Sequence, residues 1–333
     1  MLSRIKIKKL FNLYDYDITL ANGDGSKVKF ITAPNGYGKT TILGFVDGVM
    51  KQSYDLLFQT PFKSFAIYFN EEKEDAVFCV AVERTEEQPN LIDTDVNENL
   101  TIALEVSLTR MTDFEENLIE RYKVVQHPDG SVNKEGNSGN IEMFFVARSG
   151  YYLTDSRILK LKTDIDEETL DLDAHRNIGR YVEDMKAILK SPETSSAYKD
   201  RIETFKRIID RCDFANKHLE IDKRFGFRFV AHDVLETKLS LAQLSSGEKH
   251  MIVQVFELLF RAKEGTLVLI DEPELSLHMM WQMNYLKNLE EIVALRNFQC
   301  IVATHSPQIF NSMWSKSVDL FMIANQNNHD AIA

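Results

Sequence analysis

The sequence has no apolar run approaching the ~18 residues that a membrane-spanning helix needs, so no membrane role is expected. Cysteine is scarce as well. The three present, Cys79, Cys212 and Cys300, are far apart, odd in number and set among apolar residues. They argue against a disulfide framework and read as buried free thiols of a reducing, cytoplasmic compartment. No Cys/His spacing suggests a zinc site. Positive charge is in deficit: 39 Lys and Arg face 51 Asp and Glu, a net charge of −12. Such a chain is not drawn to nucleic acid as a whole, so a DNA contact requires a local patch. Lys6, Lys8 and Lys9 form one candidate patch, and Arg157, Lys160 and Lys162 another. For each, a solvated strand face or loop is the simpler reading. The N-terminal stretch MLSRIKIKKLF alternates charge with apolar residues and lacks the apolar core of a signal peptide.

What is present is the composition of a globular protein, 44% hydrophobic and 27% charged. Its 333 residues suffice for one large domain or two ordinary ones. Residues 4 to 9, 15 to 20 and 28 to 32 read as strands, with NGDG at 22 to 25 as a hairpin turn. A helix is expected over Thr41 to Met50. Alternating segments at 64 to 69, 76 to 83, 100 to 108 and 121 to 126 predict an antiparallel sheet. EMFFVA, 142 to 147, predicts a more buried strand. The texture then turns helical. Ile178, Tyr181 or Val182, Met185 and Leu189 recur at helical spacing, and a second stripe runs through Tyr198, Ile202, Phe205, Ile209 and Cys212. This predicts an αα-hairpin broken at Pro192, with its second helix running from about Ala197 to His218. From 240 onward, the apolar strands TLVLI (266 to 270), QCIVAT (299 to 304) and VDLFMI (318 to 323) are separated by helices. That pattern predicts a buried parallel sheet.

Three chemical motifs fall on this framework. The first is APNGYGKTT, residues 33 to 41, between an expected strand and an expected helix. It resembles the phosphate-binding pattern G-x-x-x-x-G-K-[ST], with Ala33 at the first glycine position. Gly36 and Gly38 leave room for backbone amides to approach phosphate. Lys39 would bridge the terminal phosphates, Thr40 would offer a hydroxyl to Mg²⁺ and Thr41 a further phosphate contact. A methyl at Ala33 is harmless at negative φ and costly at positive φ, and the sequence leaves both open. Alone, the motif is compatible with an ordinary strand-to-helix turn. The second motif, TLVLIDEPELSLH, ends an apolar strand in Asp271 and Glu272, which a buried parallel strand aims at its ligand-binding edge. Asp271 would hold Mg²⁺, and Glu272 would orient or deprotonate the attacking water. The third, LSSGEKH at 244 to 250, reads locally as a helix N-cap at Ser245 or Ser246, with Glu248 in the first turn.

Together with IVATHSPQIF, these motifs resemble the ABC-type ATPases of the SMC, RecF and overcoming-lysogenization-defect (OLD) branch, over nearly the whole chain. The resemblance implies a P-loop ABC-type α/β head with a mixed or parallel core sheet, an antiparallel β lobe and an inserted helical hairpin. It implies one ATPase domain over 1–333, with an N-terminal lobe at 1–160, the hairpin insertion at 161–235 and a C-terminal lobe at 236–333. ATP and Mg²⁺ are the implied cofactors. The nucleotide would be contacted by Asn35, Gly36, Gly38, Lys39, Thr40 and Thr41 from one protomer and by Ser245, Gly247 and Glu248 from the other. Thr40 and Asp271 would bind the metal, while Glu272, His305 and Lys39 would act in hydrolysis. His305 resembles the switch histidine that contacts the γ-phosphate. ELSLH resembles the OLD form of the segment after DEP. It implies that His278 lies at the dimer seam, with a surface helix residue as the equal alternative. In YYLTDSRILKL, Arg157 keeps the second residue of a family Gln-Arg pair, and Ser156 replaces the first.

The function expected from this resemblance is an ATPase that dimerises around ATP and gates a DNA-directed or effector-directed action in antiphage defence or DNA maintenance. Relatives of the OLD type often carry a TOPRIM nuclease after this region. With 28 residues after His305, the expected effector is a separate chain, with DNA a further possible partner. A transporter subunit is disfavoured by the 208-residue offset from Lys39 to Gly247 and by the ELSLH form. A low-turnover nucleotide sensor is the remaining alternative, supported by Ser156.

Overall fold

The computed structural model describes residues 1–20, 25–71, 75–87, 101–113, 115–146, 148, 150–154, 173–214, 216–275 and 277–330. Its centre is a five-stranded, wholly parallel sheet. The strands are β3 (Val28–Thr32), β9 (Gly150–Thr154), β13 (Leu267–Asp271), β14 (Gln299–Thr304) and β15 (Ser317–Asp319), in the order β15-β3-β14-β13-β9. The apolar runs are continuous because both faces of this sheet are covered. Ile31, Leu269, Ile301 and Ala303 enter one core, and Phe30, Val268, Ile270 and Val302 enter the other.

The first core is closed by helix α1 (Lys39–Lys51) and a seven-stranded antiparallel sheet. That sheet comprises β1 (Leu2–Leu10), β2 (Tyr14–Thr19), β4 (Ser64–Glu71), β5 (Ala76–Glu87), β6 (Thr101–Met111), β7 (Glu116–Gln126) and β8 (Val132–Glu135). Two short helices, α2 (Asp55–Gln59) and α3 (Gly139–Val146), pack beside it. The second core is filled from α4 (Asp173–Lys190), α6 (Lys199–Arg211), α7 (Ser246–Phe256) and α8 (Met279–Arg296). Helix α5 (Pro192–Ala197) joins α4 to α6, and α9 (Leu320–Asp330) follows β15. A third sheet, β10 (Lys217–Asp222), β11 (Gly226–Ala231) and β12 (Lys238–Leu239), leads to α7.

Four expectations need correction. EMFFV, 142 to 146, is helical, and Ala147 lies outside the described residues: Ile141, Phe144 and Phe145 are buried while Met143 and Val146 are exposed, a helical division. The Glu120 carboxylate accepts the Ile141 amide near the start of this helix. Strands β2 and β3 do not form a hairpin. They lie in different sheets, and residues 22 to 24 of the expected turn fall outside the described residues. The second arm of the helical hairpin ends at Arg211. Asp213 turns left-handed at φ 46°, and Lys217 onward forms β10, so the region 161–235 carries a β-hairpin as well as helices. VDLFMI is a strand only to Asp319. The Asp319 carboxylate then accepts the Phe321 amide and starts α9.

All three cysteines are buried and free. Among the described residues, no helix is long and apolar enough to cross a membrane. Of the first basic patch, Lys6 and neighbouring Arg4 both approach Asp17, which cancels part of its charge.

Candidate functional site

The C-terminal ends of β3, β14 and β13 lie side by side. Thr304 pairs in register with Thr32, and Asp271 with Ala303. This edge collects the loop 33–38, Asp271, Glu272 and His305 at one place, where parallel sheets offer their binding crevice.

The loop has the backbone that phosphate binding requires. Gly36 and Gly38 sit at φ 88° and 85°, a region that suits glycine. A Cβ on Gly38 would come within 2.7 Å of Leu10. Ala33 is not among the left-handed residues, so its methyl carries no strain. Helix α1 opens at Lys39 with no side-chain cap and no acidic residue in its first turn. Its leading amides therefore remain available to an anion. Lys39 is buried under the loop, its Nζ donating to the carbonyls of Ala33 (2.9 Å) and Pro34 (3.3 Å). Asn35 and Thr40 are exposed at the loop, and Thr41 is half-buried. Tyr37 braces the loop from behind. Its ring stacks on Tyr14 and its carbonyl accepts the Tyr16 hydroxyl at 3.0 Å.

Asp271 is buried beside Thr40, and its Oδ1 has no hydrogen-bond partner. Burial, reinforced by Glu272 and Glu274, pushes its carboxyl up to about 6, against the opposing pull of Thr40 and Lys39. The hydroxyl of Thr40 and the free, buried oxygen of Asp271 are hard oxygen donors that fit Mg²⁺. Among the described residues no cluster of three His, Cys, Asp or Glu suits a metal. A cation here must take its other ligands from phosphate and water.

The raised Asp271 value has a stability consequence. The folded value lies above the ordinary 3.8, so the native state holds the proton more tightly than the unfolded chain. The stability this provides is present below about pH 4 and is lost as pH rises towards about 6. Asp271→Asn is therefore expected to stabilise the fold near pH 8 without Mg²⁺ or nucleotide by at most about 3 kcal/mol, seen as a higher melting temperature, and to lose that advantage towards pH 4. Thermal unfolding across this range checks it, and an equal shift at both ends would reject the assignment.

Glu272 occupies a left-handed backbone position, φ 46°, fixed by its amide donating to the Ala303 carbonyl at 2.8 Å. Such strain is held where the surrounding structure over-determines it, typically at functional sites. Its carboxylate is partly exposed and lies 3.7 Å from His305 Nδ1. Reading DEPE for its first two carboxylates passes over the third. Glu274 is almost fully buried, and its Oε1 accepts from the Thr304 hydroxyl (2.6 Å) and the His305 amide (2.9 Å), with His305 Nδ1 at 3.1 Å. The available signal was a third carboxylate within four residues, more than capping one strand requires.

The signature residues lie elsewhere. Ser245 caps α7 by accepting the Glu248 amide, and the Glu248 carboxylate returns to the Ser245 amide at 2.7 Å, a capping box. Glu248 is buried and also paired with Lys217 at 2.7 Å. Within this chain the Glu248 carboxylate thus has two structural partners. His278 is exposed and caps α8, its Nδ1 accepting the Met280 amide at 3.3 Å. Ser245, Gly247, His278 and Trp281 line one groove, which contains no residue of the loop 33–41 and neither Asp271 nor His305. Ser156 and Arg157 lie outside the described residues.

A family model described as "AAA domain, putative AbiEii toxin, Type IV TA system" matches residues 34–311. The chain is similar to "Retron Ec83 probable ATPase" of Escherichia coli, 36% identical over 97 residues, covering 26% of this chain and 18% of that protein. It is also similar to "Retron Vc95 probable ATPase" of Vibrio cholerae serotype O1 biovar El Tor, 33% identical over 95 residues, 25% of this chain and 18% of that protein. The match thus spans under a fifth of these curated relatives. Among solved structures, an SMC head bound to the C-terminal winged-helix domain of ScpA covers 93% of this chain and 90% of its own, at 15% identity and a TM-score of 0.49. The SMC head domain from Thermotoga maritima covers 93% and 91%, at 14% identity and a TM-score of 0.43.

Proposed function

This chain belongs to the AAA domain family whose model it matches over residues 34–311, and from that premise we propose that it binds and hydrolyses ATP with Mg²⁺. The observation that carries the proposal is the convergence of Lys39, Thr40, Asp271, Glu272 and His305 at one edge of a parallel sheet. The amides of the loop and of the α1 start receive the phosphates, and Lys39 exchanges its loop carbonyls for phosphate oxygens. Thr40 and Asp271 hold the cation, which when bound neutralises phosphate charge. Glu272 takes the proton of the attacking water. His305 faces the terminal phosphate from the neighbouring strand end.

Two protomers enclose the nucleotide in this reading, the second contributing Ser245 and Gly247. The ATP-bound dimer gates an effector on another chain, such as a nuclease of the TOPRIM type or another DNA-acting protein. The retron names of two relatives favour a defence setting. The single-domain division, with lobes at 1–160 and 236–333 around an insertion at 161–235, belongs to the same proposal.

Mg²⁺-dependent phosphate release from ATP by the purified chain tests the core of this reading, with nucleotide titration of two loop variants beside it. Ala33→Gly is expected to change affinity by less than about tenfold, or ~1.4 kcal/mol. Ala33 is unstrained, and glycine keeps the carbonyl that Lys39 uses. Lys39→Ala removes a charged donor to phosphate and is expected to cost about 3 kcal/mol, more than a hundredfold. Equal losses in the two variants, or a wild type that binds only after Ala33→Gly, would refute the loop assignment.

A further inference from the structure

The geometry points to Glu274 as a positioning residue that sets the tautomer and direction of the His305 ring, an inference that rests on the ATPase reading of this site. Oxygen Oε1 of Glu274 meets three donors on one neighbouring strand end: the Thr304 hydroxyl, the His305 amide and, at 3.1 Å, His305 Nδ1. Thr304 is fully buried and Glu274 nearly so. The carboxylate is therefore anchored by two hydrogen bonds, to the buried Thr304 hydroxyl and the His305 amide, where such bonds are strong and costly to leave unmade. A carboxylate oxygen only accepts. An unprotonated Nδ1 would set its lone pair against this oxygen at 3.1 Å, so the carboxylate favours the hydrogen on Nδ1 and leaves Nε2 for another partner.

A second consequence concerns Glu272. Its carboxylate lies 3.7 Å from the same Nδ1, beyond hydrogen-bond range. Glu272 and Glu274 thus flank one ring nitrogen, and only Glu274 holds it. Without the Glu274 oxygen, the Glu272 carboxylate at 3.7 Å is the other acceptor placed near Nδ1. The ring would turn towards it and engage the carboxylate needed by water. Glu274 therefore keeps the histidine facing outward and Glu272 unengaged. Its second oxygen, Oε2, is buried with no hydrogen-bond partner, so the tether runs through Oε1 alone. The amide oxygen of glutamine can replace that acceptor, and alanine cannot.

The test combines turnover with ring nitrogen spectroscopy. Glu274→Ala is expected to lower kcat about a hundredfold, the scale of a displaced catalytic group, with ATP affinity nearly unchanged. Glu274→Gln should recover most of that loss. Adding His305→Ala to Glu274→Ala should lower kcat no further than His305→Ala alone, because one residue acts through the other. Independent, multiplying losses would overturn the inference, and so would wild-type kcat in Glu274→Ala. Nitrogen-15 histidine spectra, assigned with His305→Ala, are read without nucleotide. The His305 ring should carry its hydrogen on Nδ1 in the wild type and Glu274→Gln, and lose that preference in Glu274→Ala. A spectrum unchanged by Glu274→Ala would reject the tether. Because this arm needs no hydrolysis, it decides the inference even where the wild type shows no ATPase activity.

Discussion

Glu272→Gln is expected to bind ATP as the wild type does and to turn it over about a thousandfold more slowly, the range assigned to a positioned general base. The substitution changes one oxygen to an amide and leaves the backbone position intact. The left-handed φ of 46° is held by the Glu272 amide and the Ala303 carbonyl, which the side chain does not touch. The side chain is partly exposed, so a neutral amide there costs little stability. Phosphate contacts from the loop amides and Lys39 lie on other elements and are retained. What disappears is the ability to take a proton from water beside the terminal phosphate. With binding preserved and turnover blocked, the ATP state should accumulate, and in the dimeric reading the variant should double its mass on adding ATP. Phosphate release, nucleotide titration and light scattering check the three parts. Wild-type turnover in this variant would remove Glu272 from the chemistry.

The parallel core was legible in the sequence because burial on both faces leaves no polar alternation. TLVLI and QCIVAT could hardly be anything but central strands, and their C-terminal residues marked the site. The glycines of the loop stood out as points of close approach, and the structure adds that both adopt a left-handed backbone, which suits glycine. Local ambiguity defeated EMFFVA, because a short apolar run fits a buried strand or a buried helix. The Glu120 contact near the start of that helix comes from a strand distant in sequence. Glu274 was missed for a related reason. Its meaning depends on Thr304 and His305, about thirty residues away and adjacent only through β13–β14 pairing. The structural role of Glu248 was half visible: the capping box is local in sequence, but the Lys217 partner that completes its burial is not.

Two inactive variants are expected to restore each other. Lys39→Ala disables the phosphate loop, and Ser245→Arg places a bulky charge at the start of the signature helix. In this chain the two regions face different surroundings. Ser245, Gly247 and His278 share a groove with no residue of the loop 33–41. If a second protomer supplies Ser245 to the Lys39 loop, a mixed dimer has one composite site that loses both elements and one that keeps both. Activity should then return to at most about half of wild type per heterodimer when the sites work independently, and to less when they are coupled. Ser245 is exposed, so arginine can be accommodated there. Losing its cap costs α7 about 1 kcal/mol, and thermal unfolding must first show both variants folded. Subunit exchange has to be verified with two affinity tags. If tagged heterodimers show no activity above the single variants, the sites are either strictly coupled or not shared. A photoreactive ATP analogue resolves that choice in a tagged heterodimer of wild type and Lys39→Ala, in which both chains keep Ser245. Labelling of Ser245 on the chain whose Lys39 is intact would place both elements within one protomer and end the shared-site reading. Labelling of Ser245 on the partner would establish it without any need for turnover.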